Sequence, residues 1–400
     1  MPDCAAADLA WLVVSRMSAM RDALMRANVD KVYFWAMTEH LIPSAGLHRW
    51  VADIFLAAGS DEREAKLTAD HLVAANLAGH DSHGVGMVPR YVSSWLADEL
   101  QLNQHVAIEQ DSGTMLTLNA QRGMGQAVTH EAMDLAIARA REHGVCVMGL
   151  KNSHHLGRVG HWAEQAVAQG MVSVHFVNAV SFPVVAPHGG TQARIVTNPF
   201  TVGIPVPGRE PILLDFATSA LAMGKVRVAH NKQAQVPENS LLDQHGRPST
   251  DPGVIFPPAG TPRGALLPFA GHKGYALAMV CELLGAALTG GETTRPANTT
   301  MKHAIWNNML AVVFDPRRMG TADMFSAEVN AYVDWVQSAP LREGFEKIML
   351  PGEPEQLSRL ARAEWVPIDS GTLQQMDDAA AAVQQARGTS PGPLSVLEKN

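Results

Sequence analysis

The sequence predicts an enzyme of the α/β (α+β) class, and three observations carry that prediction. Apolar runs of strand length alternate with stretches of helical period. The helical stretches carry fitting start and stop residues. Neither GxGxxG between a strand and a helix nor GxxxxGKS/T occurs, which disfavours a Rossmann domain and a P-loop; GMGQAV (123–128) lacks the third glycine.

The elements follow in chain order. Residues 1–46 read as an N-terminal extension, the first 45 holding five of the 19 methionines. Met37, which opens MTEHLIPSAG, is an alternative start; an ordinary amphipathic helix is the other reading. From Leu47 the pattern sharpens. Ser60 can cap a helix whose first turn carries Asp61, Glu62 and Glu64, and Leu67, Leu72, Val73 and Leu77 recur at near-helical spacing until Gly79. A second helix is predicted over 125–143, ended by His143-Gly144. VCVMGL (145–150) and VSVHFV (172–177) read as buried strands with the helix of WAEQAVAQG between them; PILLDFA (211–217) and NNMLAVVFD (307–315) are further strands. Residues 230–262, rich in Pro, Asn, Asp and Gly, read as a long surface excursion. YALAMVCELLGAALTGG (275–291) is apolar on nearly every face and so predicts a deeply buried helix. The tail, 386–400, is expected to be disordered.

Composition narrows the function classes. With 46% apolar and 18% charged residues the 400-residue chain is ordinary globular protein, enough for two or three domain-sized cores. A net charge of −8 without a basic stripe argues against nucleic acid or an anionic membrane as partner. Cys4, Cys146 and Cys281 form no CxxC pair, so structural zinc and a disulfide framework are disfavoured and a reducing cytoplasm fits. No apolar run approaches the roughly 18 residues of a membrane span. Asp3 and Asp8 stand where an export signal needs positive charge.

Four segments could carry chemistry. In DSHGVGMVPRY (81–91), a histidine that gives and takes a proton needs a partner on its other nitrogen, and Ser82 beside His83 can serve; the plainer reading is a helix end with a solvated histidine. KNSHHLGRVGHW (151–162) joins a strand to a helix, where α/β enzymes place ligand loops. His154 and His155 should point to opposite sides there, while Gly157 and Gly160 allow close backbone approach. In LLDFATSALAMGK (213–225), Asp215 ends an apolar strand and could accept a hydrogen bond from a histidine. In FAGHKGYALA (269–278), Lys273 opens a helix where a phosphate or carboxylate could sit. Capping and surface roles are the plainer readings of both.

Taken in order, these four segments together with VAPHGG, TNPF and MLPGE resemble the malate/L-lactate/ureidoglycolate dehydrogenase family, from about Leu47 to Asp377. The resemblance implies a non-Rossmann, malate/L-lactate dehydrogenase-like fold of two domains, with a mixed or antiparallel sheet covered by helices. The division expected is 47–115 plus 325–385 as a helical substrate and dimerisation domain, and 116–324 as the nicotinamide-binding domain. It implies NAD or NADP as cofactor, a small 2-oxoacid or 2-hydroxyacid as substrate, no metal, and a homodimer with cofactor sites near the subunit interface. Ser82, His83 and Asp215 match a proton relay, and His155 a second histidine that one branch uses as proton acceptor. Ser181, Asp215, Phe216, Ala217 and Lys273 match cofactor contacts, with Gly157, Gly352 and Glu353 as weaker ones.

One position departs from the family. Several members carry an arginine four residues after the DSHG histidine, where it pairs with the substrate carboxylate; here that position is Met87, and Arg90 lies three residues beyond. Losing such a contact costs on the order of 1.5–3 kcal/mol unless another donor replaces it. A thioether there would suit an apolar or aromatic substrate side group. Three alternatives stay open at this level: reduction of a cyclic imine acid, a nicotinamide-binding protein without turnover, and a metal-dependent hydrolase built on His80, His83, His154, His155 and Asp215.

Overall fold

A computed structural model describes residues 39–231 and 233–397. The reading of residues 1–38, Met37 included, lies outside the described residues. Strand β1 (Glu39–Pro43) pairs antiparallel with β12 (Trp365–Asp369), and α1 (Ser44–Ala58) follows directly. The extension boundary at 46 therefore moves: residues 39–46 belong to the fold.

Around this two-stranded ladder a helical body assembles from α1, α2 (Glu62–Leu77), α3 (Val88–Leu96) and α10 (Ser370–Arg387). Leu47, Ile54, Phe55, Leu72, Tyr91 and Met376 form its core. The cap of α2 is Asp61, not Ser60: its carboxylate accepts from Glu64 N at 2.7 Å, and Ser60 Oγ instead donates to the buried Glu64 carboxylate at 2.6 Å. The tail is also corrected. Residues 388–397 dock on this body, with Leu394 fully buried and Trp50 Nε1 donating to Gly392 O at 2.9 Å. A Pro- and Gly-rich composition suggested disorder, yet the buried Leu394, Leu397 packed on the core and hydrogen bonds to the Gly392 and Leu394 backbone hold the segment down.

The second body is a seven-stranded sheet in the order β2-β3-β4-β11-β5-β6-β7. The strands are β2 (Ala107–Asp111), β3 (Met115–Asn119), β4 (Val145–His154), β5 (Val172–Val180), β6 (Pro199–Ile204), β7 (Ile212–Ala217) and β11 (Trp306–Phe314). Only β3–β4 is parallel; the other pairs are antiparallel. One face is covered by α4 (Gly125–His143) and α5 (Gly160–Val167), which bury Met133, Ala136 and Trp162 against Cys146, Met148 and Ala311. Strand alternation turns Gly149 to the other face, where Thr289 fills the space a side chain would need. Both faces are thus buried, which is why the central strands read as continuous apolar runs. The domain boundary drawn at 115 cuts the β2–β3 hairpin, which belongs wholly to this sheet.

Residues 230–262 are not a bare excursion. Helix α6 (Met223–Asn231) and the short strands β8 (Leu241–Leu242), β9 (Pro248–Ser249) and β10 (Ala265–Leu266) enclose a core of Val185, Val226, Leu241, Ile255 and Leu266. Their apolar residues are too sparse to show a period in sequence. Helix α7 (His272–Glu282) runs into one π-turn, Leu283–Ala287. It buries Ala278, Cys281 and Gly285 but leaves Val280 39%, Leu283 50% and Leu288 65% exposed, so the expected deep burial holds for one face alone. Helices α8 (Ala322–Gln337) and α9 (Glu353–Arg362) complete the described chain, and among its residues no helix is long and apolar enough to cross a membrane.

Candidate active site

The turn after α2 is held by its own polar residues. The Asn76 amide donates to Asp81 Oδ1 at 2.7 Å and accepts from Val85 N at 2.7 Å, and Arg362 on α9 donates to the same Asp81 oxygen at 2.7 Å. Asp81 therefore anchors the turn, which presents the half-buried His83 with Ser82 Oγ 3.0 Å from its Nδ1.

The end of β4 brings the second histidine against the first. His83 and His155 stack, centroids 5.6 Å apart and planes inclined by 21°. His155 Nδ1 lies 2.8 Å from the hydroxyl of Tyr91 on α3. His154 is fully buried and also meets Tyr91 edge-on, at 5.0 Å, so both histidines contact the same side chain; neither nitrogen of His154 has a hydrogen-bond partner among the described residues. Gly125 makes the close approach possible, since a Cβ there would sit 2.1 Å from His155 O. Gly157, with φ of +73°, is likewise packed against the His71 imidazole.

Asp215 is nearby but does not close the expected relay. Its Oδ2 accepts from Gly160 N at 2.8 Å and its Oδ1 from Thr201 Oγ1 at 2.8 Å, with no bond to Ser82 or His83. The positive N-terminal end of α5 and the Thr201 hydroxyl have captured the carboxylate. Its action on His83 is through space, favouring the charged imidazole. Burial, then His80 and Arg158, outweigh it and hold the His83 pKa down to about 4. Burial, then His83, His154 and Arg90, lower His155 well below the ordinary histidine range.

The remaining expected residues lie on β7, on α7 and in the segments that flank them. Phe216 packs edge-on against Phe269 at 5.1 Å, and Phe269 N donates to Thr218 O at 3.1 Å, so the end of β7, Asp215-Phe216-Ala217, and the segment ahead of Lys273 are one unit. Lys273 is exposed in the first turn of α7 and makes no ion pair among the described residues. A cation there suits a dinucleotide phosphate, and the apolar Phe216 edge suits a ring. Ser181 begins the loop that follows β5. Gly352 packs on Leu213, and Glu353 accepts from Leu350 N at 2.8 Å, fixing MLPGE against the edge strand β7.

Several residues at the site went unmarked in sequence. Tyr91 closes the DSHG segment, and its place in that segment was the available signal. Nothing local marks Gln126 or Thr201. Met87 is half-buried and packs against the helical core, so it does not offer its thioether freely to a substrate. Arg90 donates to His303 O at 3.1 Å. The metal alternative loses its geometry: His80 pairs with Glu355 at 3.1 Å, Asp215 is engaged as described, and no three metal-ligating side chains converge among the described residues.

Known proteins add the family. Residues 42–377 match malate/L-lactate dehydrogenase. The chain is 47% identical over 346 residues to hydroxycarboxylate dehydrogenase B of Escherichia coli O157:H7, covering 86% of this chain and 94% of that one. It is 38% identical over 320 residues to an L-lactate dehydrogenase of Cupriavidus necator, 80% of this chain and 90% of its relative. The solved sulfolactate dehydrogenase of Methanocaldococcus jannaschii matches with a TM-score of 0.77 at 28% identity, over 88% of this chain and 98% of its own. Dehydrogenases of this kind are NAD(P)-dependent. A mixed sheet with no Rossmann fingerprint, a stacked histidine pair beyond the end of β4 and a match spanning most of the chain lead to one conclusion: the protein is an enzyme of the malate/L-lactate dehydrogenase family.

Proposed function

We propose that the protein interconverts small 2-oxoacids and 2-hydroxyacids with NAD or NADP, using His83 as the proton-exchanging group. The observation that carries this is the stacked pair His83–His155, each with a hydroxyl at its Nδ1 and no protein partner at Nε2 among the described residues. When bound, the nicotinamide supplies the hydride. Lys273, Phe216, Ala217 and Ser181 hold it, with Gly352 and Glu353 beside the edge strand β7. Ser82 orients the His83 ring, and Asp215 stabilises its charged form at a distance. In reduction His83 gives its proton to the carbonyl oxygen; in oxidation the neutral ring takes the proton from the hydroxyl.

The direct test is oxidation of NADH and NADPH with pyruvate, oxaloacetate and phenylpyruvate, and with a cyclic imine acid. Turnover of an oxoacid supports the reading. Turnover of the imine alone moves the chemistry to carbon–nitrogen reduction on the same site, and none at all leaves a binding protein.

The chain is further proposed to work as a homodimer. The exposed Val280, Leu283 and Leu288 lie on α7 and the π-turn that continues it, an apolar face on the element that also carries Lys273. Sedimentation should give twice the chain mass, and Leu283→Glu should shift it towards the monomer. A wild-type monomer at micromolar concentration removes the proposal.

A further inference from the structure

The Gln126–Tyr91–His155 chain determines which nitrogen of His155 carries a hydrogen. All three side chains are more than nine-tenths buried. Gln126 Nε2 stands 3.2 Å from His155 O and 3.0 Å from Tyr91 Oη. A carbonyl oxygen only accepts, so the amide must turn its NH2 group towards it; the flipped amide would bring two acceptors together. The same NH2 then donates to the Tyr91 oxygen. Tyr91 has one hydrogen to place, and its remaining neighbour is His155 Nδ1 at 2.8 Å. The hydroxyl donates there, and neutral His155 bears its hydrogen on Nε2. The opposite tautomer would aim two donors at one phenolic oxygen and strand the phenolic hydrogen among Phe55 and His154.

We propose that Tyr91 and Gln126 are positioning residues that lock His155 as a neutral Nε2–H donor to an oxygen of the substrate, leaving proton exchange to His83. Burial and the neighbouring His83, His154 and Arg90 all oppose a charge on His155, in keeping with a fixed donor. Such a donor also supplies a polar contact to the oxoacid at a site where position 87 is an apolar methionine. This inference rests on the dehydrogenase reading for the identity of the substrate, but not for the tautomer.

The test separates the two. Histidine-labelled full-length protein is examined by ¹⁵N NMR, with His155→Gln to assign the ring. Wild type should show a pyridine-like Nδ1 and a pyrrole-like Nε2 at neutral pH; a protonated Nδ1 overturns the proposal. Tyr91→Phe keeps the ring packing and should abolish that preference. It should raise KM for the oxoacid roughly 10- to 100-fold and leave KM for the nucleotide unchanged. Gln126→Leu should move both readouts in the same direction, so the proposal does not hang on one variant folding. A Tyr91→Phe enzyme with unaltered tautomer and oxoacid KM overturns it as well. The expected tautomer without turnover of any oxoacid would sink the dehydrogenase reading and keep the hydrogen-bond assignment.

Discussion

His83→Ala should lower 2-oxoacid turnover by roughly 10²- to 10⁴-fold, the usual worth of an oriented acid–base group. The fold should survive, because His83 lies in a short turn held by Asn76, Asp81 and Arg362 rather than by its own ring. His155→Ala should act differently, raising KM more than it lowers kcat, since on the proposed reading it removes a donor and not the proton carrier. Steady-state kinetics of both variants decide between them. A collapse of kcat in His155→Ala with His83→Ala active would reverse the roles. The pH dependence follows from the His83 pKa of about 4. Hydroxyacid oxidation needs the neutral ring, so its kcat/KM should be flat from about pH 5 to 8. Oxoacid reduction needs the protonated ring, so its kcat/KM should fall as pH rises over the same range, about tenfold per unit. An anionic substrate beside the ring shifts this balance back towards the charged form once bound.

Acid should unfold the protein well before carboxylate titration is complete. His71, His154, His155 and His175 are buried and neutral in the native state, with His154 held down to about 3 and His175 to about 4, chiefly by burial. Because these folded values lie below the ordinary 6.5, the unfolded chain takes up protons that the folded one refuses. Stability is full above about pH 6.5 and drains as pH falls towards 4, by about 1.4 kcal/mol per unit for each such histidine. Four together should drop the melting midpoint by on the order of 10 °C between pH 7 and pH 5. Calorimetry at both values measures it, and His175→Asn should flatten the slope. An unchanged midpoint would mean that these rings are protonated in the native protein.

What could be read from sequence follows from how local the information is. Helix 125–143 and strands 145–150, 172–177 and 307–315 were legible because both-faced burial writes itself as unbroken apolar runs. Strand β6 was missed because its neighbours are prolines and glycine, and β1 because its partner is 330 residues away. His83, Ser82 and His155 stood out as motif residues and do meet in space. Asp215 also stood out, but whether it would bond a histidine or the start of α5 depends on the β6–β7 register, which no short stretch encodes. Tyr91 and Gln126 act through a hydrogen-bond chain spanning three elements, so their part emerges only from the assembled structure.

The ladder between β1 and β12 has a consequence for biosynthesis. It joins Glu39 to Asp369 and lies beside a core that draws on residues as far apart as Ile42 and Leu394. A ribosome must therefore release the chain through β12 and α10 before the helical body can close, while the sheet, complete once Phe314 emerges, can order earlier. Until then α1 and α2 wait with Leu47, Ile54, Phe55 and Leu72 uncovered, and a nascent chain stalled before Trp365 would present that apolar surface to chaperones.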